Sequence, residues 1–214
     1  MSNGSLYTHI QNNIATVQFY HPASNSFPSE LLERLAIAFN ELSLNTEVRV
    51  IILKSEKDKA FCAGASFDEL VSITNFEEGK QFFLGFANVI NAMRKCSKLI
   101  IGRVQGKAVG GGVGLAAACD YCFATEQAAI KLSEFTIGIG PFVIAPAVER
   151  KIGVAALSEL TLDATSWQNA YWAKEKGLYA KVFETLSELD NEVDNLASKL
   201  ASYNPEALNE MKKI

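Results

Sequence analysis

The chain has 214 residues, 49% of them hydrophobic and 21% charged, which is enough apolar chain for a full globular core. A net charge of −4 and an isoelectric point near 5.3 argue against nucleic-acid binding, which needs a basic face to neutralise phosphates. No run approaches the roughly 18 apolar residues of a membrane span, and MSNGSLYTHI lacks the charged and apolar segments of a secretory signal, so a cytoplasmic protein without membrane contact is expected.

In chain order, LYTHIQNNIATVQFYHP reads as two β-rich runs turning at Asn12-Asn13, because asparagine tolerates the left-handed backbone of tight hairpins. FPSELLERLAIAFNELSLN follows, with Pro28 suited to a first helical position and apolar residues at 31, 32, 35, 38, 39 and 42, a helical period. VRVIILK, 48–54, is a nearly continuous apolar run of the kind buried parallel strands carry. The polar break SEKDK leads to AFCAGASFDEL, with a helix opening near Phe67. Residues 77–95 read as a helix and KLIIGRVQG, 98–106, as another buried strand. GKAVGGGVGLAAACD, 106–120, then opens a buried Ala/Leu-rich helix on glycines. YCFATEQAAIKLSEF gives two short strands around a turn at Glu126-Gln127. PFVIAPAVERKIG through LSELTLDAT is helical in character despite Pro146. WQNAYWAKEKGLYAKVFE holds a helix stopping at Gly177, then an exposed strand or loop, and 187–202 and 205–213 are amphipathic helices. Trp167 and Trp172 read as packing between the core and the C-terminal helices. Strands alternating with helices make an α/β layered fold, divided here into a core over 1–163 and a C-terminal helical segment over 164–214.

Cys62, Cys96, Cys119 and Cys122 lie in apolar surroundings, which suits a reducing compartment. Cys119 and Cys122 form a CxxC, but that is half a zinc site, and His9 and His21 are far away in sequence. No metal is expected.

The glycines raise a sharper question. Glycine weakens a helix by about 1 kcal/mol against alanine, so Gly110, Gly111, Gly112 and Gly114 serve something besides helix formation. The same pattern occurs earlier, where strand 48–54 precedes Ala63-Gly64-Ala65 and a helix. Helix N-termini present unpaired N–H groups and a partial positive charge. Two of them converging on one oxygen would make an oxyanion hole, and small residues would let the backbone reach a ligand. GGGVG has the wrong spacing for a dinucleotide loop and lacks the GK[ST] of a Walker loop. A tight strand-to-helix packing turn is the alternative reading.

AFCAGASFDEL, GKAVGGGVGLAAACD and KLSEFTIGIGPFVIAPAVERKIG, in this order and spacing, resemble the enoyl-CoA hydratase/isomerase (crotonase) family, from about residue 5 to the end of the chain. The last segment looks most like methylglutaconyl-CoA hydratase-type members of leucine degradation. The resemblance implies a crotonase-like spiral of ββα units with a C-terminal helical segment, an acyl-CoA thioester as substrate and no cofactor besides the coenzyme A it carries. It also implies a homotrimer or dimer of trimers. Its oxyanion hole falls on the backbone N–H groups of Ala65 and Gly111. Contacts to the coenzyme arm fall on Lys59, Ala60, Phe61, Ala63, Gly64 and Ser66, with Gly110, Gly112 and Gly114 shaping the second loop.

Hydratases of this family commonly hold a water between two glutamates. The second matches Glu134; the first falls on Gly114, so the pair is incomplete. The acid that other members carry past the IGIG turn falls on Phe142. Ser66 stands where an Asp is frequent, Asp120 reads as a structural hydrogen-bond acceptor, and Asp68 and Glu69 favour a helix N-terminus. The chain ends at Ile214, earlier than the resemblance implies, which predicts a shorter cover and a wetter pocket. Glu134 in apolar surroundings would have a raised pKa, suited to a general base or acid. A hydratase of an enoyl-CoA is the first expectation; a double-bond isomerase with one Glu base, or a non-catalytic acyl-CoA-binding protein, are the alternatives. The acidic charge argues against RNA binding, a side activity of one family branch.

Overall fold

The structure, a computed structural model, describes residues 4–56 and 59–213; Lys57 and Asp58 of the polar break lie outside them. The chain opens with β1 (Ser5–Gln11), β2 (Ile14–Tyr20) and α1 (Ser29–Leu44), then β3 (Val50–Ser55), α2 (Phe67–Ser72) and α3 (Phe76–Lys95). β4 (Leu99–Val104) and β5 (Ala108–Val109) precede α4 (Gly111–Ala118). β6 (Tyr121–Thr125), β7 (Ile130–Lys131) and a 3₁₀ turn, Glu134–Ile137, precede α5 (Ala145–Leu162). The remainder is α6 (Ala170–Glu175), β8 (Lys181–Phe183), α7 (Leu186–Ser202) and α8 (Pro205–Lys213).

Asn12 and Asn13 both take positive φ, 52° and 63°, and close the β1–β2 hairpin. Pro28 is the residue that caps α1 rather than its first helical residue, with φ −63° and ψ 155°. The six-stranded sheet has the order β1-β2-β3-β4-β6-β8, antiparallel at β1–β2 and parallel elsewhere. Both of its faces are covered, which is why β3 and β4 read as continuous apolar runs. Ile51 and Leu53 point into one core with α1, α3, α4 and α5. Val50 and Ile52 point the other way, into a second core with Ile101, Phe123 and, from α7, Leu189, Val193 and Ala197.

A minor layer lies beside the sheet. The two strands around Glu126-Gln127 part company there: β6 stays in the main sheet and β7 pairs with β5. Single bridges extend this layer from Cys62 to Ala108 and from Ile130 to Gln168. Main strand, minor strand and helix thus recur as β4-β5-α4 and β6-β7-α5, the ββα units that the resemblance implies.

The C-terminal segment is not helical throughout, because β8 completes the main sheet as its edge strand. α5 is broken at Gly153, whose φ of 77° no helix permits. Trp167 is 40% exposed, with the Lys107 and Lys131 ammonium groups 4.6 and 4.7 Å from its ring, so it packs at the surface and not between layers. Asp120 accepts from the Ile100 amide and from Lys212 Nζ. Glu69 caps α1, not its own helix, by accepting from the Ser29 amide and hydroxyl. Among the described residues no helix is long and apolar enough to cross a membrane.

Candidate active site

The two small-residue loops meet because the minor layer holds them together. The Phe27 amide donates to the Gly64 carbonyl (2.8 Å) and the Ser66 amide to the Phe27 carbonyl (2.9 Å), fixing the first loop against α1. The Val109 amide donates to the Cys62 carbonyl and the Gly110 amide to the Lys131 carbonyl, which ties the second loop to the first on one side and to β7 on the other. A cleft of about 230 Å³ opens between them.

Its floor is backbone: Ala63 to Ala65 from the first loop and Val109 to Gly111 from the second. Among the described residues neither the Ala65 amide nor the Gly111 amide has a hydrogen-bond acceptor. A Cβ on Gly64 would lie 3.5 Å from the Gly111 nitrogen, so the two loops approach at backbone distance. Gly64 and Gly110 also take positive φ, 89° and 53°, a backbone that side chains strain.

Phe82, Phe83 and Phe86 of α3 form one wall; Ile139, Val143 and Ile144 form the other. Phe86 lies so close over Gly111 that a Cβ there would sit 2.3 Å from its ring. Glu134 begins the 3₁₀ turn and is the only ionisable side chain lining the cleft among the described residues; Ser133 beside it is the only other polar one. Oε1 of Glu134 would be 2.9 Å from a Cβ on Gly110, so the carboxylate rests against the glycine loop. Its Oε2 is buried without a hydrogen-bond partner. Burial raises the Glu134 pKa, opposed by its own backbone N–H. Such a carboxylate in an apolar cleft can take up a proton as a base and return it as an acid.

Of the residues expected at the site, Ala63, Gly64, Ala65, Gly110, Gly111 and Glu134 line the cleft together. Others do not. Phe61 is fully buried against Phe19, so only its backbone is near the loop. Ser66 caps α2 through the Glu69 amide. Gly112 is packed on the Cys62 carbonyl, where a Cβ would come within 2.4 Å. Gly114 faces Ile144 and Ile90, and a Cβ there would meet Ile144 at 2.6 Å. Lys59 and Ala60 precede the loop outside the cleft; the Lys59 carbonyl packs on Gly106, where a Cβ would lie 1.8 Å away. Phe142 is 79% exposed and points out of the cleft.

The sequence pattern does not by itself single out the three phenylalanines or Ile144 as walls. The paired aromatics at 82, 83 and 86 are a helical-face signal that could have found the first wall. Cys62, Cys119 and Cys122 are buried free thiols, and burial pushes the Cys62 thiol up to about 12. Among the described residues no group of three or more His, Cys, Asp or Glu could hold a metal ion.

Comparison with known proteins follows the same lines. The family described as enoyl-CoA hydratase/isomerase matches residues 9–214. The chain is 31% identical over 192 residues to the peroxisomal Delta(3,5)-Delta(2,4)-dienoyl-CoA isomerase of Arabidopsis thaliana, covering 83% of this chain and 67% of that one. It is 34% identical over 167 residues to the mitochondrial methylglutaconyl-CoA hydratase of Rattus norvegicus, covering 78% of this chain and 52% of that one. The crystal structure of an enoyl-CoA hydratase from Bacillus anthracis superposes with a TM-score of 0.90 at 28% identity, over 99% of this chain and 81% of that one.

Proposed function

The chain belongs to the enoyl-CoA hydratase/isomerase family, and from that membership we propose that its cleft binds an acyl-CoA thioester and moves a carbon–carbon double bond with one base, Glu134. The single observation that carries this is a carboxylate, the only one in the cleft among the described residues, buried on one oxygen between walls that are apolar or backbone apart from Ser133. The Ala65 and Gly111 N–H groups take the thioester oxygen. Glu134 removes a proton from the α-carbon of a 3-enoyl thioester, and the electrons move onto that oxygen as a dienolate. Two preorganised donors in an apolar cleft stabilise this charge more than the ground state, each worth on the order of 3 kcal/mol. The protonated Glu134 then returns the proton to the γ-carbon, leaving the conjugated 2-enoyl product. No water or cofactor enters the balance.

Hydration is the second reading. The likeness to methylglutaconyl-CoA hydratase favours it, and with it a branched acyl group of leucine degradation. It needs a water oriented at the β-carbon, and the space beside Gly114 is filled by Ile144 and Ile90. That packing ranks isomerisation first. Exposed Phe67 and Ile137 at the cleft, with exposed Val71 and Phe135 in the same two segments, support the homo-oligomer that the resemblance implies.

The test compares 3-hexenoyl-CoA with crotonyl-CoA, wild type against Glu134→Gln. Isomerisation of the first substrate, reduced at least about a hundredfold in the variant, is the expected result. Hydration of crotonyl-CoA without isomerisation selects the second reading. Thioester binding without turnover on either substrate means a binding protein and overturns both.

A further inference from the structure

A second cavity, of about 570 Å³, lies at the opposite end of α4 from the cleft. We propose that it binds a small amphiphilic anion, an alkyl chain ending in a carboxylate or phosphate. This does not depend on the reading of the cleft.

The charge of the cavity runs against that of the chain. Four cations line it, Arg94, Arg150, Lys151 and Lys212, against one carboxylate, Asp120. Four minus one leaves an excess of three positive charges in a protein whose net charge is −4. Two of the cations are already engaged in holding the framework. Lys212 Nζ bonds Asp120 Oδ2 (2.8 Å) and the Lys98 carbonyl, and Lys151 Nζ bonds the Asp120 carbonyl (2.8 Å). Asp120 is therefore neutralised, and among the described residues neither the Arg94 nor the Arg150 guanidinium has a partner.

The end of α4 points its carbonyl dipoles this way, which would repel an anion. Two of the last four carbonyls are occupied, however: the Leu115 and Ala116 oxygens accept from the Cys119 and Cys122 thiols. Arg94 alone could be explained as a cation favouring the last turn of α3. Arg150 lies in the last turn before the break of α5 at Gly153, so it too favours a helix end, but two partnerless guanidinium groups on one cavity exceed what the helix ends need.

The rest of the lining is apolar. Ala117, Ala118 and Ala147 leave room, and Leu196, Leu200 and Met211 wall it. Its volume falls within the roughly 300–1,000 Å³ of small-molecule sites. Arginine forks suit either carboxylate or phosphate oxygens, and an alkyl chain would displace water from the leucines.

Calorimetric titration of decanoate, decyl phosphate and decanol into the full chain tests this. Both anions should bind once per chain, and decanol about tenfold more weakly or worse. Binding of only one anion names the headgroup. Arg94→Ala/Arg150→Ala should lower anion affinity by about tenfold and leave acyl-CoA turnover unchanged, since neither side chain lines the cleft. A crystal grown with ω-bromodecanoate should show anomalous bromine density beside Leu196 and Leu200. Equal binding of decanol, an unchanged double variant, bromine confined to the cleft, or no binding would each overturn the proposal.

Discussion

Burial favours the neutral form of Glu134 over the charged one, and this has opposite consequences for stability and for turnover. The folded chain binds the Glu134 proton more tightly than the unfolded chain, because its pKa is raised. The resulting stabilisation is fully present below the unfolded pKa and is lost as pH rises through the folded one. Glu134→Gln removes that loss, so the variant should be more stable than wild type at pH 7 to 8, with the difference vanishing below about pH 4, as thermal melts across that range would read. Turnover, which needs the carboxylate, should instead rise with pH through the same raised value. Gly111 makes a second residue-scale prediction. Its missing Cβ is the space the Phe86 ring occupies, and that ring is pinned edge-on against Phe27 at 6.0 Å. Gly111→Ala should cost about 1–3 kcal/mol in urea unfolding, and Phe86→Leu in the same chain should recover most of it. The glycines and Glu134 could be found in the sequence because each lies inside a short motif. Ile144 could not, since it closes on Gly114 from thirty residues away and only the fold brings the two together.

At the level of elements, α7 is held to the sheet by a buried guanidinium as well as by its apolar face. Arg103 of β4 is 8% exposed and reaches Asp190 of α7 with two hydrogen bonds, of 2.6 and 3.1 Å. Asp190→Ala leaves that guanidinium unpaired beneath the helix and should destabilise the protein by about 1–3 kcal/mol. Faster hydrogen exchange across α7 than across α4 would locate the loss; uniform exchange would mean that the pair does not hold the helix. Element types were readable wherever a period ran long enough: β3 and β4 as apolar runs, α1 and α3 as helical stripes. What escaped were features set by few residues. Two-residue β7 carries no period that could name β5 as its partner. The break at Gly153 looks like helix in composition, because its backbone angle leaves no mark on neighbouring side chains. β8 is three residues long, and its place at the sheet edge is decided by β6 and not by its own pattern.

Across the whole molecule, the sheet separates two cores of different origin. The larger is built from helices that follow closely on the strands they cover, whereas the smaller waits for α7. Val50, Ile52, Ile101 and Phe123 are buried against that one helix. A chain ended at Thr185 would keep every strand and bare that face, and is expected to aggregate unless a peptide spanning 186–202 is added, which sedimentation would show. The same arrangement bears on how the protein is made. A nascent chain leaving the ribosome completes β3, β4 and β6 long before α7 emerges, so for the interval of synthesising the intervening residues it carries five of the six sheet strands with one sticky side. Slower translation over 126–185 would lengthen that interval and make yield in the cell more dependent on chaperones, even though the finished fold would be unchanged.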